Sequence, residues 1–249
     1  MKVLVCISNV PDTTSKIQFT PDGSAFDAQG VQFVINPYDE FSLTRALWIK
    51  EQQGGSVTVV HVGPAAAEPT IRKALAIGAD DAIRIDVEPT DGFAVASELA
   101  ALVREQGYDL VLAGRESIDY NGGQVPGMLA ALLGWPFVNG CVGMELQSGS
   151  AELIREVDGG REKLTAALPM VIAGQKGLVE EKDLRIPNMR GIMTARTKPL
   201  TVRPSAASGA ERTRAVGFEK PVGKQACVML KTDQVEELVR QLHENAKVI

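Results

Sequence analysis

At 249 residues, with 45% hydrophobic, 23% charged and 5% aromatic side chains, the chain reads as an ordinary globular protein able to bury a sizeable core. Three scattered cysteines (Cys6, Cys141, Cys227) and only two histidines (His61, His243) argue against a disulfide scaffold, a metal site and a Ser-His-Asp or Cys-His arrangement. The net charge of −5 divides into −11 over residues 1–184 and +7 over 185–224; the basic block holds one aromatic, Phe218, so it suits a solvated or protein-docking surface better than nucleic acid.

The chain opens with "MKVLVCISNVPD", one Lys and a short apolar run with no signal-like core or cleavage site, which we read as the first strand of a cytoplasmic protein. No apolar stretch approaches the ~20 residues of a membrane span. Residues 15–36 are too long for a tight strand-to-helix loop, and Pro21-Asp22-Gly23 predicts a hairpin-like excursion there. A helix follows with Asn36 as N-cap, Pro37 at its first position and Gly54-Gly55 as its stop. Short Val/Ile/Leu runs at 2–7, 56–62, 82–86, 109–114 and 169–174 alternate with helical patterns, so the fold class is α/β: a doubly wound, mostly parallel, Rossmann-like sheet. His61, inside the second run, reads as a packed strand residue. In the third helix Val95, Leu99, Leu102 and Val103 form one stripe, ended by Gly107.

Residues 144–169 read as strand, turn, strand, Asp-Gly-Gly turn, strand, a small antiparallel β appendage. Residues 175–225, rich in Pro, Gly, Ser and Arg, predict an extended segment with few contacts to its own core. A terminal helix then returns, with Asp233 and Glu236 suited to a capping box and Val235, Leu238, Val239 and Leu242 on one face. We divide the chain into an α/β domain, 1–184, and a segment 185–249 made of a basic stretch and a C-terminal arm whose helix is suited to pack on a partner or on another part of the same chain.

The stretch "GRESIDYNGGQVPG" (114–127) joins a strand to a helix. It is neither a GxGxxG fingerprint nor a Walker loop. Either it is a loop tolerant of small residues, or its backbone approaches an anion at the helix start.

Taken together, "VLVCISNVPD", "INPYDEFSLTRALWIKE", "VTVVHVGP", "ALAIGADDAI", "DLVLAGRESID" with "GQVPGMLAALLGWP", "REVDGG" and "GIMTARTKPL" resemble the β subunit of electron-transfer flavoproteins over about residues 1–200. The resemblance implies an electron carrier rather than an enzyme, paired with an α subunit that holds most of the redox FAD, while this subunit binds AMP. It implies that the domain 1–184 is nucleotide-binding and that the segment 185–249 begins with a docking loop. It implies electrons from acyl-CoA dehydrogenases of fatty acid β-oxidation, passed to a membrane quinone oxidoreductase. Carried onto this chain, the nucleotide site takes in Cys6, Asn36, Val62, Asp119, Tyr120, Gly122, Gly123, Gln124 and Val125, and Thr13 faces the partner's flavin. No residue is assigned as catalytic or as a metal ligand. Gly123 and Val125 stand where typical members carry Asn and Thr, and Tyr120 where they carry an acidic residue. "GQV" is similar instead to the bifurcating branch, which binds a second FAD and oxidises NADH, so that alternative stays open. A stand-alone ATP-binding stress-type module shares the architecture, but its Gly-Ser or Gly-Thr phosphate signature is missing. The family's dehydrogenase-docking loop falls at 185–200, with Ile186 or Met189 as apolar anchor according to register, Ile192 beside it, and Arg190 and Arg196 at its rim.

Overall fold

The computed structural model describes residues 1–207, 209–223 and 226–249. Nine strands share one sheet: β1 (Lys2–Cys6), β4 (Ser56–Val62), β5 (Asp81–Asp86), β6 (Leu110–Gly114), β7 (Phe137–Gln147), β8 (Ser150–Val157), β9 (Gly160–Ala167), β10 (Met170–Gly174) and β11 (Leu200–Pro204). Their order is β11-β5-β4-β1-β6-β10-β7-β8-β9. The first seven in that order run parallel, and β8 and β9 follow β7 as antiparallel hairpins. Thus the appendage read from 144–169 is real, but it grows out of the main sheet through β7. Two further strands, β2 (Asn9–Pro11) and β3 (Phe33–Ile35), form a small antiparallel pair.

The strand runs lack polar alternation because both faces are covered. On one face Val3 and Val5 of β1, Leu110 and Leu112 of β6 and Met170 and Ile172 of β10 pack with α1 (Pro37–Gln53) and α2 (Glu68–Ile77). On the other, Leu4, Val111 and Val171 pack with α3 (Gly92–Gln106) and α4 (Val125–Leu133). Successive residues of a strand point to opposite faces, so each run feeds two cores, and a doubly wound sheet results. From β1 the main sheet extends to β4 and β5 on one side and to β6, β10 and β7 on the other. The order therefore reverses between β1 and β6, where such sheets open a crevice at the strands' carboxyl ends.

Contrary to the sequence reading, much of 175–216 is tied to this body. A short helix, α5 (Met189–Ala195), packs on α2, and β11 completes the sheet edge beside β5. Beyond β11, the buried carboxylate of Glu98 in α3 accepts from the Ser205 hydroxyl and from the backbone N–H groups of Ala206 and Ala207, at 2.8 and 3.0 Å for the two amides. Asp91 caps α3 through Ala94 N–H and also takes the N–H groups of Arg212 and Thr213. These anchors are single carboxylates that gather several donors without apolar periodicity, which is why composition alone predicted a loose segment.

A second unit comprises Phe19–Phe26 and Gly217–Ile249. Phe19 bridges Phe26 across the Pro21-Asp22-Gly23 turn and stacks on Phe218 at 5.3 Å. Its helix, α6 (Val235–Arg240), has Gln234 at the N-cap with no side-chain capping bond, so the Asp233/Glu236 box does not form.

Candidate functional site

The crevice between β1 and β6 is framed by the first turn of α1. Asn36 occupies the N-cap position but does not cap: its Nδ2 donates to the Glu116 carbonyl at 2.8 Å, and its Oδ1 accepts the Ile118 N–H at 3.3 Å. One turn on, Asp39 accepts the Ser8 N–H at 2.7 Å and the Gly114 N–H at 2.8 Å, one on each carboxyl oxygen. Two polar side chains of one helical turn therefore hold both walls. Burial is the main cause that pushes the Asp39 carboxyl up to about 7, against the opposing effect of those two N–H bonds. Gly114 is obligatory, since a Cβ there would lie 2.4 Å from Asp39 Oδ1.

On the β1 wall, Cys6 ends its strand. Burial, with the Asp39 charge second, raises its thiol far above the ordinary range, so it is an inert packing group. Val62 ends β4 and is buried. The turn after it is fixed by Arg84, which donates to the Gly63 carbonyl at 3.0 Å and pairs with Glu68 and Asp86. His61 is a packed strand residue as expected: Nδ1 donates to the Ile7 carbonyl at 2.9 Å, and burial lowers its pKa.

On the β6 wall, the glycine stretch closes on itself by paired Ser117 and Gly122 backbone bonds of 3.1 and 3.2 Å. Asp119 serves this loop locally, accepting from the Ser117 hydroxyl and the Tyr120 N–H. The exposed Tyr120 ring lies against Gly122, where an added Cβ would come within 2.3 Å of it. The chain then enters α4, which has no side-chain cap and carries Pro in its first turn. Among the described residues the amides of Gly123, Gln124 and Val125 have no acceptor within the protein. Uncapped amides at a helix start are what an anionic group such as a nucleotide phosphate takes, so these residues fit one. At Gly123 the nearest atom to an added Cβ is the Arg115 carbonyl oxygen, at 3.2 Å.

The structure thus brings Asn36 and the 116–118 loop together directly, and Cys6 together with Asp39. Thr13 stands apart, exposed in the Asp12–Ser15 turn, which is closed by local bonds to Asp12 and tied to the body by the Asp12 N–H on the Gln32 carbonyl. Asp39, which the sequence reading passed over, is the centre of the frame. The signal was an acidic residue in a first helical turn, a common and usually exposed placement.

The exposed segment 185–200 is a second feature. Ile186 and Met189 are 77% and 75% exposed, with Ile192 and Met193 alongside and Arg190 and Arg196 also exposed. α5 beneath them is rigidly seated: Asn188 caps it through the Gly191 N–H at 2.7 Å, and Arg72 holds the carbonyls of Ala195 and Lys198. A cavity of about 460 Å³ lined by Trp48, Arg185 and Ile186 adjoins it. A larger one of about 750 Å³ is lined by Arg115, Arg155, Glu156, Arg161 and Gln175. Its three arginines are matched by Glu116, Glu162 and Glu156, so it offers an anion no unpaired cation.

Comparison with known proteins matches residues 24–208 to the electron transfer flavoprotein domain. The chain is 33% identical to the electron transfer flavoprotein subunit beta of Bacillus subtilis, over all of both chains. It is 36% identical to that of Syntrophomonas wolfei, over 98% of this chain and 95% of the relative. With the human subunit it shares 33% identity, over 100% and 99%.

Proposed function

The chain belongs to the electron transfer flavoprotein β-subunit family, whose members are electron carriers rather than enzymes, and on that premise we propose that it is the AMP-binding half of a heterodimeric carrier. The partner α subunit holds the FAD, which stores and passes on the electrons. Acyl-CoA dehydrogenases supply them at the 185–200 segment, and a membrane quinone oxidoreductase receives them. Within this chain, the half-buried Cys6 and the buried Val62 present small, unreactive surface to the base end of the nucleotide. Asp39 ties the two walls together and Asn36 holds the 116–118 loop, and the amides of Gly123 to Val125 receive the phosphate. Thr13 belongs to the partner-facing side of the same end of the sheet.

The observation that carries this reading is the set of acceptor-less amides at the start of α4, beside the switch-point crevice. The test is mass spectrometry of nucleotide released from the denatured heterodimer, native and Gly123→Leu. We expect one AMP per native heterodimer and none in the variant, with the far-ultraviolet spectrum unchanged. A Cβ at position 123 meets the Arg115 carbonyl oxygen at 3.2 Å and the Glu116 Cβ at 3.8 Å, so the fold has room for a leucine whose bulk would compete with the phosphate. Released FAD in twofold amount would replace AMP by the second-flavin reading. Nucleotide undiminished in the variant would remove the loop from the site.

A further inference from the structure

Asp39 is 3% exposed, accepts one backbone N–H from each wall of the crevice, and has no cation in ion-pair range among the described residues. A carboxyl so placed has two conflicting requirements. Its N–H partners are best served by the ionised form, whereas the absence of water and of a counter-charge favours the neutral one. Gly114 leaves no room for adjustment, because Asp39 already fills the space of its missing Cβ. We propose that Asp39 is a proton-sensitive clamp that sets the width of the β1–β6 crevice and so governs how long a bound nucleotide is kept. The proposal rests on the reading of this crevice as the nucleotide site. Asp39 is a positioning residue: it acts through Ser8 and Gly114.

The direction follows from linkage. Burial wins in the closed form and holds the carboxyl near pH 7, whereas in an opened crevice the group meets water and ionises near 4. The closed form therefore binds the proton more tightly. Its advantage is whole below pH 4 and declines as pH rises toward 7, after which it changes no further. The other titratable groups facing Asp39 do not supply this dependence. Cys6 on β1 is pushed far up by burial, and Glu40, the next residue of α1, is paired with Lys73 at 3.1 Å. From β6 comes backbone alone at Gly114; the following Arg115 is turned onto Gln175 and the Tyr38 ring.

The experiment uses the full heterodimer and measures AMP dissociation between pH 5 and 8 in the native protein and in Asp39→Asn. Asparagine keeps the shape and one acceptor but cannot ionise. Expected is a dissociation rate that rises at least about tenfold across this range in the native protein and stays flat in Asp39→Asn, the scale of losing one pH unit of the closed form's proton-linked advantage. In parallel, hydrogen exchange of the Ser8 and Gly114 amides, corrected for intrinsic rates, is followed in the native protein. Their protection should fall over the same range while that of β10 holds. This measurement needs neither variant nor nucleotide, so it decides the clamp even where no AMP is found and the nucleotide reading fails. Equal pH profiles in both proteins, or Ser8 and Gly114 protection that does not change with pH, would overturn the proposal.

Discussion

Single carboxylates do disproportionate work here because each one gathers several backbone N–H groups from distant parts of the chain. Asp91 illustrates the opposite sign to Asp39. It lies at the surface, accepts from Ala94, Arg212 and Thr213, and these bonds hold it down at about 2, with Ala94 N–H the largest cause. A carboxyl lowered on folding adds stability above its unfolded value near 4, and that contribution disappears as pH falls through about 2. Asp91→Ala should therefore cost about 1–2 kcal/mol at pH 7, the worth of a helix cap with its extra partners, measured by urea unfolding. Between pH 4 and 2 the native protein and the variant should converge. The variant should also lose amide protection at 212 and 213. A difference that persisted unchanged at pH 2 would mean that Asp91 acts by packing rather than by charge.

At the scale of elements, α5 shows how seven residues can be made rigid without a core of their own. Gly191 lets it touch the backbone of α2: an added Cβ would sit 2.2 Å from the Ala76 carbonyl oxygen. Lys198 then closes the end of α2, donating to the carbonyls of Leu75 and Ala79 at 2.9 and 2.6 Å. Gly191→Ala should force the helices apart and cost about 1–3 kcal/mol of stability. Met189→Ala, on an exposed side chain, should leave stability unchanged. Both should weaken electron transfer from an acyl-CoA dehydrogenase, Met189→Ala by about tenfold through lost apolar burial at the docked interface. If electron transfer is normal in both, this helix does not meet the donor. The same element marks the boundary of what the sequence makes legible. The five central strands were readable because burial on both faces requires unbroken apolar runs, and α3 because its stripe faces a single core. By contrast α5 has a glycine at its centre and one buried side chain, Ala195, so no period exists to be read. In α1 the buried residues include Asp39, Ser42 and Thr44 beside Leu43, Ala46 and Leu47, which blurs the stripe. Asp39 and Ser42 face strand ends rather than strand faces, the Ser42 hydroxyl donating to the Ala113 carbonyl at 2.8 Å, while the Thr44 hydroxyl accepts the Arg185 N–H at 3.1 Å. The frame of the β1–β6 crevice escaped a residue-by-residue reading for that reason. Its glycine loop was visible in sequence, whereas the buried carboxylate that holds the loop looked like an ordinary helix-start acid.

For the whole molecule, the distribution of apolar surface separates the two units. The first unit encloses most of its large side chains in two continuous cores, the exceptions being the 185–200 segment, a few residues of β8 and β11, and the loop residues Ile17, Tyr120 and Val216. In the second, Val222 is 98% exposed, Met229 84%, and Val235, Leu238 and Val239 of α6 about half. Apolar residues at i, i+3 and i+4 of a six-residue helix are too few to fold it by propensity alone, since isolated helices of this length are marginal in water. Such a stripe acquires stability when another surface covers it, and on the proposed reading of the arm that surface belongs to the α subunit. Charge does not provide the contact, because Glu237 and Arg240 on the same helix already satisfy each other at 2.8 Å. Replacing Leu238 and Val239 together by Glu should accordingly leave the thermal unfolding of the isolated chain within about 2 °C of native, as expected for exposed positions. The same pair of substitutions should abolish co-purification with a coexpressed α subunit, or weaken it at least about a hundredfold by analytical ultracentrifugation, from burying two charges in an apolar contact. A double variant that still forms the heterodimer with native affinity would mean that α6 is not part of the subunit interface, and that the arm's exposed apolar residues serve some other contact.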